Sequence, residues 1–141
     1  MTPKQIGNIG EAVALAKFVK MQVPVYTPFG DNEKSDLLAE FNGKINRIQV
    51  KTSINHNGEI VKFDLGSTTR IKGQSKKHIY TEDEVDYYVF YNIEADVLLL
   101  VPFEGTPSTR MSFRLVPPKN GQKRGINLIE DYSFEKIIKE V

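Results

Sequence analysis

Cysteine is absent from this sequence, so disulfide bonds and thiolate metal sites are excluded and a reducing compartment is expected. Only two histidines occur, His56 and His78, and neither is placed to form a histidine-based catalytic pair. No glycine-rich phosphate loop joins a predicted strand to a helix. No apolar run is long enough to span a membrane, and the first residues lack the apolar segment of a secretory signal. We therefore expect a cytoplasmic protein with no membrane partner.

A large excess of one charge is also absent, because 19 basic and 18 acidic residues leave a formal net charge of +1. The basic residues nevertheless concentrate in two stretches without any acid, residues 70–77 and 110–124, and acids cluster between them. This segregation predicts one basic face that could bind a phosphate backbone, and two ordinary solvated loops are the alternative. The length and the 40% hydrophobic content suit a single domain over residues 1–141.

Residues 36–52 carry the pattern of a β-hairpin. Asn42 and Gly43 can occupy the two central positions of a type I′ turn, where both residues need a positive φ, and apolar runs lie on either side. In the second run Ile48 and Val50 share one face, which we expect to be the core face. A polar row is then expected to face away from the core: Arg47, Gln49 and Lys51.

The predicted hairpin brings three chemically distinct groups together. Asp36 opens the first strand, and the turn folds this end back beside the end of the second strand, where Gln49 and Lys51 lie. Hard cations such as Mg²⁺ take oxygen ligands, and a lysine can stabilise or deprotonate a nucleophile, so the set suits attack of water on a phosphodiester. A solvated hairpin with ordinary polar alternation is the alternative explanation.

Several short segments resemble a known family. The sequence Gly-Asn-Ile-Gly-Glu-Ala at residues 7–12, then Pro28, then Asp36-Leu37, then Arg-Ile-Gln-Val-Lys-Thr at residues 47–52 is similar to the core of the PD-(D/E)XK nucleases. The glutamine before X-Lys resembles the small-endonuclease branch, which includes a cyanobacterial group I intron homing endonuclease. Archaeal Holliday junction resolvases share the first half.

The resemblance implies an α/β fold with a restriction-endonuclease-like core, in which helices flank a mixed central β-sheet. It also implies a metal-dependent DNA endonuclease that uses Mg²⁺, with Mn²⁺ able to substitute. The implied metal ligands are Asp36, Gln49, the Val50 carbonyl and Glu11, and Lys51 would orient or activate water. Gln49 departs from the usual acid, so weaker metal affinity is expected.

Three functions stay open at this point. Gln49 and the looser match of the second half favour a site-specific homing-type endonuclease. The shared Glu11, Asp36 and Lys51 also fit a Holliday junction resolvase or another structure-selective nuclease. The missing acid at position 49 fits a DNA-binding subunit without catalysis.

The segments outside the hairpin are assigned from periodicity and turn signals. Thr2, Pro3 and Gln5 begin a predicted helix over about residues 3–21, in which Gly7 and Gly10 would permit a close approach to the sheet or to a phosphate backbone. Strands are predicted at residues 23–27, 59–65, 86–91, 96–102 and 111–116. Residues 81–84 could start a short helix, and Ser133 caps a last helix over residues 134–141.

Two segments are predicted to contact double-stranded DNA. Residues 67–77 lack periodicity and are interpreted as a mobile loop that carries four cations: Arg70, Lys72, Lys76 and Lys77. Residues 119–125 form a polar loop in which Asn120 and Gln122 could bond base edges while Lys123 and Arg124 bind phosphate. A domain of this size presents little surface to DNA, and cutting both strands needs two sites, so a homo-oligomer (dimer or tetramer) is expected.

Overall fold

The computed structural model describes residues 1–30, 35–122 and 124–141, and it describes the backbone but not the side chains of residues 68–71. Two helices bracket the fold, α1 (Pro3–Lys20) and the short α2 (Phe134–Ile137). The strands are β1 (Val25–Tyr26), β2 (Leu37–Phe41), β3 (Lys44–Ser53), β4 (Ile60–Asp64), β5 (Ser67–Ile71), β6 (Gln74–His78), β7 (Tyr87–Asn92), β8 (Val97–Pro102) and β9 (Arg110–Arg114).

Helix α1 begins as its sequence predicts. The Thr2 hydroxyl accepts a hydrogen bond from the Gln5 amide at 3.1 Å, and the Gln5 side chain accepts one from the Thr2 amide at 2.8 Å. This reciprocal capping box, with Pro3 at the first helical position, satisfies backbone donors that the first turn would otherwise leave free. The helix is therefore fixed at its start by local chemistry.

The main sheet has five strands in the order β1-β2-β3-β7-β8. Strands β3 and β7 run parallel, and the other neighbours are antiparallel, so the sheet is mixed, as the expected fold class requires. β1 is an edge strand, in agreement with the proline at residue 24. Two smaller two-stranded sheets pair β4 with β9 and β5 with β6.

Both faces of the main sheet are covered. On one face, Ile48 and Val89 pack with Ala14 and Phe18 of α1 and with Phe134 of α2. On the other face, the β4–β9 pair covers the aromatic side chains of β7 with a second cluster, which includes Phe63, Tyr88, Phe90 and Phe113. The expectation that the polar row of β3 faces away from the core is wrong for Gln49, which is only 7% exposed.

Residues 67–77 form a hairpin and not the expected loop. β5 and β6 pair antiparallel around Lys72 and Gly73, which both have positive φ, at 52° and 77°. The described side chains of β6 are all exposed, so the strands lack the apolar alternation that reveals a half-buried strand in a sequence. The sequence Lys72-Gly73 was the one indication of a hairpin turn, and it was weak because lysine is uncommon at positive φ.

Two helix predictions also need correction. Residues 82–84 form a turn closed by bonds from the Glu84 and Val85 amides to the Thr81 carbonyl, and not a helix. The last helix ends at Ile137 instead of residue 141, although the Ser133 hydroxyl caps it by accepting from the Lys136 amide. The following amides, at residues 139 and 140, donate to the Asn42 side chain and so leave the helical path. In the described part of the chain, no helix has the length and apolarity that crossing a membrane requires.

Candidate active site

The β2–β3 hairpin positions the first group of the site. Asn42 and Gly43 adopt positive φ values of 51° and 80°, as a tight hairpin turn requires. The register pairs Leu37 with Ile48, and the Asp36 amide donates to the Ile48 carbonyl at 3.0 Å. Asp36 therefore lies beside Gln49, as the turn and the period of the strands predict.

Asp36 is held by two hydrogen bonds to one of its oxygens. Oδ2 accepts from Nε2 of Gln49 at 2.7 Å and from the Val50 amide at 2.8 Å. Burial raises the pKa of Asp36, while the Val50 hydrogen bond and the charge of Lys51 act in the opposite direction. Among the hydrogen bonds of the described residues, Oδ1 accepts none, so the carboxylate keeps an oxygen that can bind a ligand.

The side-chain carbonyl of Gln49 has no hydrogen-bond partner among the described residues, although its oxygen Oε1 is buried. A buried acceptor without a partner costs about 1–3 kcal/mol, so the arrangement favours a ligand that binds oxygen. The Nε2 group already donates to Asp36, which leaves Oε1 as the coordinating atom. The donor set therefore fits a hard divalent cation.

Glu11 enters the site from helix α1. Gly10 brings α1 against β3, because a Cβ atom at this position would lie 1.9 Å from Oγ1 of Thr52. Burial raises the pKa of Glu11, and the nearby charge of Asp36 raises it further. Glu11 and Asp36 line one cleft of about 630 Å³ between α1 and the segment before β2. The two carboxylates thus interact across a space that solvent and ligands can enter.

The third component is Lys51, which projects from β3 two residues after Gln49. Its ammonium donates to the Gly66 carbonyl at 3.1 Å and lies 4.9 Å from the centroid of the Tyr80 ring. Burial lowers the pKa of Lys51, while the charges of Asp36 and Asp64 raise it. The ammonium and the Asp36 carboxylate therefore act on each other within one site.

A family model described as PD-(D/E)XK endonuclease matches residues 1–135. The chain belongs to the PD-(D/E)XK endonuclease family. The solved structure of a bacterial homing endonuclease, I-Ssp6803I, is similar to this chain over 94% of its length and 88% of that chain, with a TM-score of 0.72 and 23% sequence identity. That likeness confirms the fold class. A comparison with proteins of curated function finds no match.

In this PD-(D/E)XK endonuclease, the resemblance of Gln-Val-Lys at residues 49–51 to the (D/E)-X-K segment, and of Asp36 to the strand aspartate, stays a prediction. Within the described residues, no group of three or more histidine, cysteine, aspartate or glutamate side chains is placed to hold a metal ion. The candidate set has instead two carboxylates, one amide oxygen and a main-chain carbonyl.

The residues expected to contact DNA fall in two separate places. Lys72, Lys76 and Lys77 are exposed on the β5–β6 hairpin, whose base adjoins Lys51 at Gly66. The described residues of the 119–125 segment are exposed, and their polar groups are partly used among themselves: the Gln122 amide donates to Oδ1 of Asn120, and Nε2 of Gln122 donates to the Arg124 carbonyl. The side chain of Arg70 and the whole of Lys123 lie outside the described residues.

Sequence reasoning counted Arg110 in a basic stretch but did not place it near Lys51, and it did not single out Lys62. Lys62 of β4 and Arg110 of β9 line a cleft of about 250 Å³ together with Lys51, and Arg110 bonds Asp64 at 3.2 Å. Both side chains lie on the exposed positions of alternating strands, where a charge is expected in any half-buried sheet. Only the pairing of β4 with β9 beside β3 brings them to the site.

Asp86 forms hydrogen bonds with Arg47, which lies two residues before Gln49 on β3. Oδ2 accepts from the Arg47 amide at 2.7 Å and from its Nε at 3.0 Å, and Lys44 lies 3.3 Å from Oδ1. Burial would raise the pKa of Asp86, but the hydrogen bonds and charges of Arg47 and Lys44 lower it to about 2. This aspartate joins β7 to β3.

Proposed function

We propose that this PD-(D/E)XK chain is a divalent-metal-dependent DNA endonuclease that cuts a specific site, in the manner of a homing enzyme. Mg²⁺ is the proposed cofactor, with Mn²⁺ able to replace it. The observation that carries the proposal is Oε1 of Gln49, which is buried beside Asp36 and Lys51 without a hydrogen-bond partner among the described residues. This is the place where a hard cation and a scissile phosphate meet their complementary groups.

Asp36, Oε1 of Gln49, the Val50 carbonyl and Glu11 would hold the cation. When bound, the cation supplies Lewis-acid polarisation of the phosphate and offsets the charge that develops during hydrolysis. The Gln49 and Val50 donors keep the Asp36 carboxylate in one orientation before any ligand arrives. The Lys51 ammonium is positioned to stabilise negative charge on the phosphate and to orient the attacking water.

The cations around the site support a double-stranded DNA substrate. The β5–β6 hairpin, whose base adjoins Lys51, carries exposed lysines on β6 and in its turn. Lys62 and Arg110 line the cleft on the β4 side. Contacts of this kind bind backbone phosphates irrespective of sequence, while groups in a groove read the bases. Asn120, Gln122 and Arg124 are the proposed base and phosphate contacts of the second loop.

Site-specific cutting of both strands favours an oligomer. Residues 1–141 are proposed to form one nuclease domain with one set of catalytic groups, so two cuts need two copies. A small module covers only about 600–1,000 Å² of its own surface on DNA, which limits the length of sequence it can read. We therefore propose a homo-oligomer, a dimer or a tetramer.

The deciding experiment compares three substrates in Mg²⁺: random-sequence plasmid, a four-way junction, and DNA that carries the genomic surroundings of the gene. Cleavage at one site in the third substrate supports the homing-type proposal, and resolution of the junction alone favours a structure-selective nuclease. Binding of all three without cleavage in Mg²⁺ or Mn²⁺ favours a DNA-binding subunit, to which the amide at Gln49 also points.

Asp36→Asn and Lys51→Met provide the matched tests of the site. Each should lower the cleavage rate by at least a hundredfold, because the substitution removes one charged group from the proposed site while the shape of the side chain changes little. Asp131→Asn, an exposed acid paired with Lys136, is the control and should cut as the wild type does. If either site variant cuts at the wild-type rate, the proposed site is misplaced.

A further inference from the structure

Tyr80 lies over the proposed catalytic lysine, although no motif of the sequence marks it. Its ring centroid is 4.9 Å from Nζ of Lys51, within the range of a cation–π contact. The ring is half-buried and is held edge-on against Tyr88 at 6.5 Å and against His78 at 5.1 Å. Tyr80 is therefore itself fixed by packing, as a group must be if it is to fix another.

The two contacts of the Lys51 ammonium belong to the two ends of the β5–β6 hairpin. Gly66, whose carbonyl accepts from Nζ, comes directly before β5, and Tyr80 follows β6. These ends are closely apposed, because a Cβ atom on Gly66 would lie 2.8 Å from the His78 carbonyl oxygen. The Lys51 ammonium therefore contacts the residues at both ends of the hairpin.

Lysine has a long side chain with many rotamers, and fixing it costs about 1.5–2 kcal/mol of conformational entropy. One hydrogen bond to Gly66 restrains the distance of Nζ but leaves its direction loosely defined. The face of the Tyr80 ring lies against a second side of the ammonium. The charge of Asp36 also acts on this ammonium. A protein group that meets a phosphate in a fixed direction loses little entropy when the reaction occurs.

We propose that Tyr80 is a positioning residue for Lys51, whose ring holds the ammonium toward the phosphate that Asp36 and Gln49 flank. This inference rests on the proposed nuclease function. Because Tyr80 acts through Lys51, it contributes to the rate of the chemical step and not to the binding of DNA. The exposed lysines of the hairpin serve DNA binding, so the two properties can be separated by mutation.

The test uses Tyr80→Leu, Tyr80→Phe and Tyr132→Leu in the full chain. Leucine keeps an apolar side chain at the position but removes the π face, and phenylalanine retains that face. Tyr132 is the matched control, since it is a partly buried tyrosine that packs edge-on against Phe113 in the same aromatic cluster. Single-turnover cleavage of the substrate that the wild type cuts is measured in Mg²⁺, and DNA affinity is measured in Ca²⁺.

We expect Tyr80→Leu to lower the single-turnover rate by about tenfold, while the dissociation constant for DNA changes less than about twofold. Tyr80→Phe should recover most of the lost rate, and Tyr132→Leu should lower neither quantity by more than about twofold. Circular dichroism and the unfolding midpoint of each variant establish that it folds.

Three outcomes overturn the inference: an unchanged rate in Tyr80→Leu, an equal loss of rate in Tyr132→Leu, or no recovery in Tyr80→Phe. If Tyr80→Leu does not fold, Tyr80→Met serves as the variant without a π face. A wild-type protein that cuts no DNA in any divalent cation refutes the proposed function, which is a distinct result because it does not depend on position 80.

Discussion

Gly10 of helix α1 lies directly against Thr52 of strand β3, and a Cβ atom on Gly10 would approach Oγ1 of Thr52 to 1.9 Å. The same Cβ atom would lie 3.3 Å from Cγ1 of Val50. Glycine is a poor helix former, so its presence in the middle of α1 has a packing reason. The close approach lets Glu11, the next residue, share a cleft with Asp36.

Gly10→Ala should therefore destabilise the protein by about 1–3 kcal/mol, because Thr52 is β-branched, its Oγ1 atom is buried, and the side chain cannot easily move away. Gly7→Ala is the matched control in the same helix, since among the described residues no atom outside the neighbouring helix backbone lies within 4 Å of a Cβ there. That change should stabilise the protein by up to about 1 kcal/mol through helix propensity. Urea unfolding measures both, and equal effects of the two substitutions would contradict the packing argument.

Gln49→Glu should convert the site into one with three carboxylates. Without a divalent cation, the new charge is buried beside Asp36 and Glu11 and the Gln49 donor is lost, so we expect the melting temperature to fall by about 3–6 °C. Mg²⁺ should then raise the melting temperature of the variant more than that of the wild type, because a tighter ligand stabilises the folded state further.

The control for this comparison is Gln122→Glu, which adds the same charge to an exposed loop. NaCl at equal ionic strength separates general screening from binding. If Mg²⁺ raises the melting temperature of Gln49→Glu no more than that of the wild type, the result argues against Gln49 as a ligand.

Asp86 should make the fold sensitive to acid. Its pKa of about 2 lies below the ordinary value of 3.8, so the folded state binds this proton more weakly than the unfolded state does. The stabilisation is complete above about pH 4 and is lost as the pH falls through about 2, and it amounts to about 2 kcal/mol at most.

Asp86→Asn should lower the stability at pH 7 and flatten its dependence on pH between about 4 and 2. Asp131→Asn breaks an exposed pair with Lys136 and should change stability by less than about 1 kcal/mol at any pH. Chemical unfolding at a series of pH values gives both profiles. Parallel profiles for the wild type and Asp86→Asn would refute the assignment.

The hairpin lysines should control the salt dependence of DNA binding. Replacing Lys76 and Lys77 together by alanine removes two exposed cations of β6, and each lost phosphate contact should reduce the slope of log affinity against log salt by about 0.9. Lys139→Ala is the control, because this exposed lysine lies at the Asn42 turn, the opposite end of the β2–β3 hairpin from Asp36. An unchanged slope in the double variant would remove the hairpin from the interface.

Local rules predicted the centre of this fold well. The Asn-Gly turn and the period of the strands were enough to place Asp36 beside Gln49 and Lys51, because the register of a tight hairpin follows from its turn. The capping box defined the start of α1 for the same reason. The strands at β7 and β8 followed from apolar, aromatic and β-branched runs.

Local rules failed where segments have no apolar face or where distant segments meet. The β5–β6 hairpin was missed because the described side chains of β6 are all exposed, and the burial of Gln49 was missed because β4 and β9 cover that face of the sheet. No periodicity could have placed Tyr80 over Lys51 or Asp86 on Arg47, since these pairs are joined only through the sheet order.

The sequence by itself therefore determined the hairpin, its register and the family to which the chain belongs. The tertiary structure alone decided what else surrounds the three groups: the ring of Tyr80, the cations of β4 and β9, and a Gln49 oxygen that is buried without a partner among the described residues. The physical reason is that turn and strand preferences act between near neighbours, whereas burial and charge interactions depend on how α1 and the β4–β9 pair pack on the two faces of the sheet.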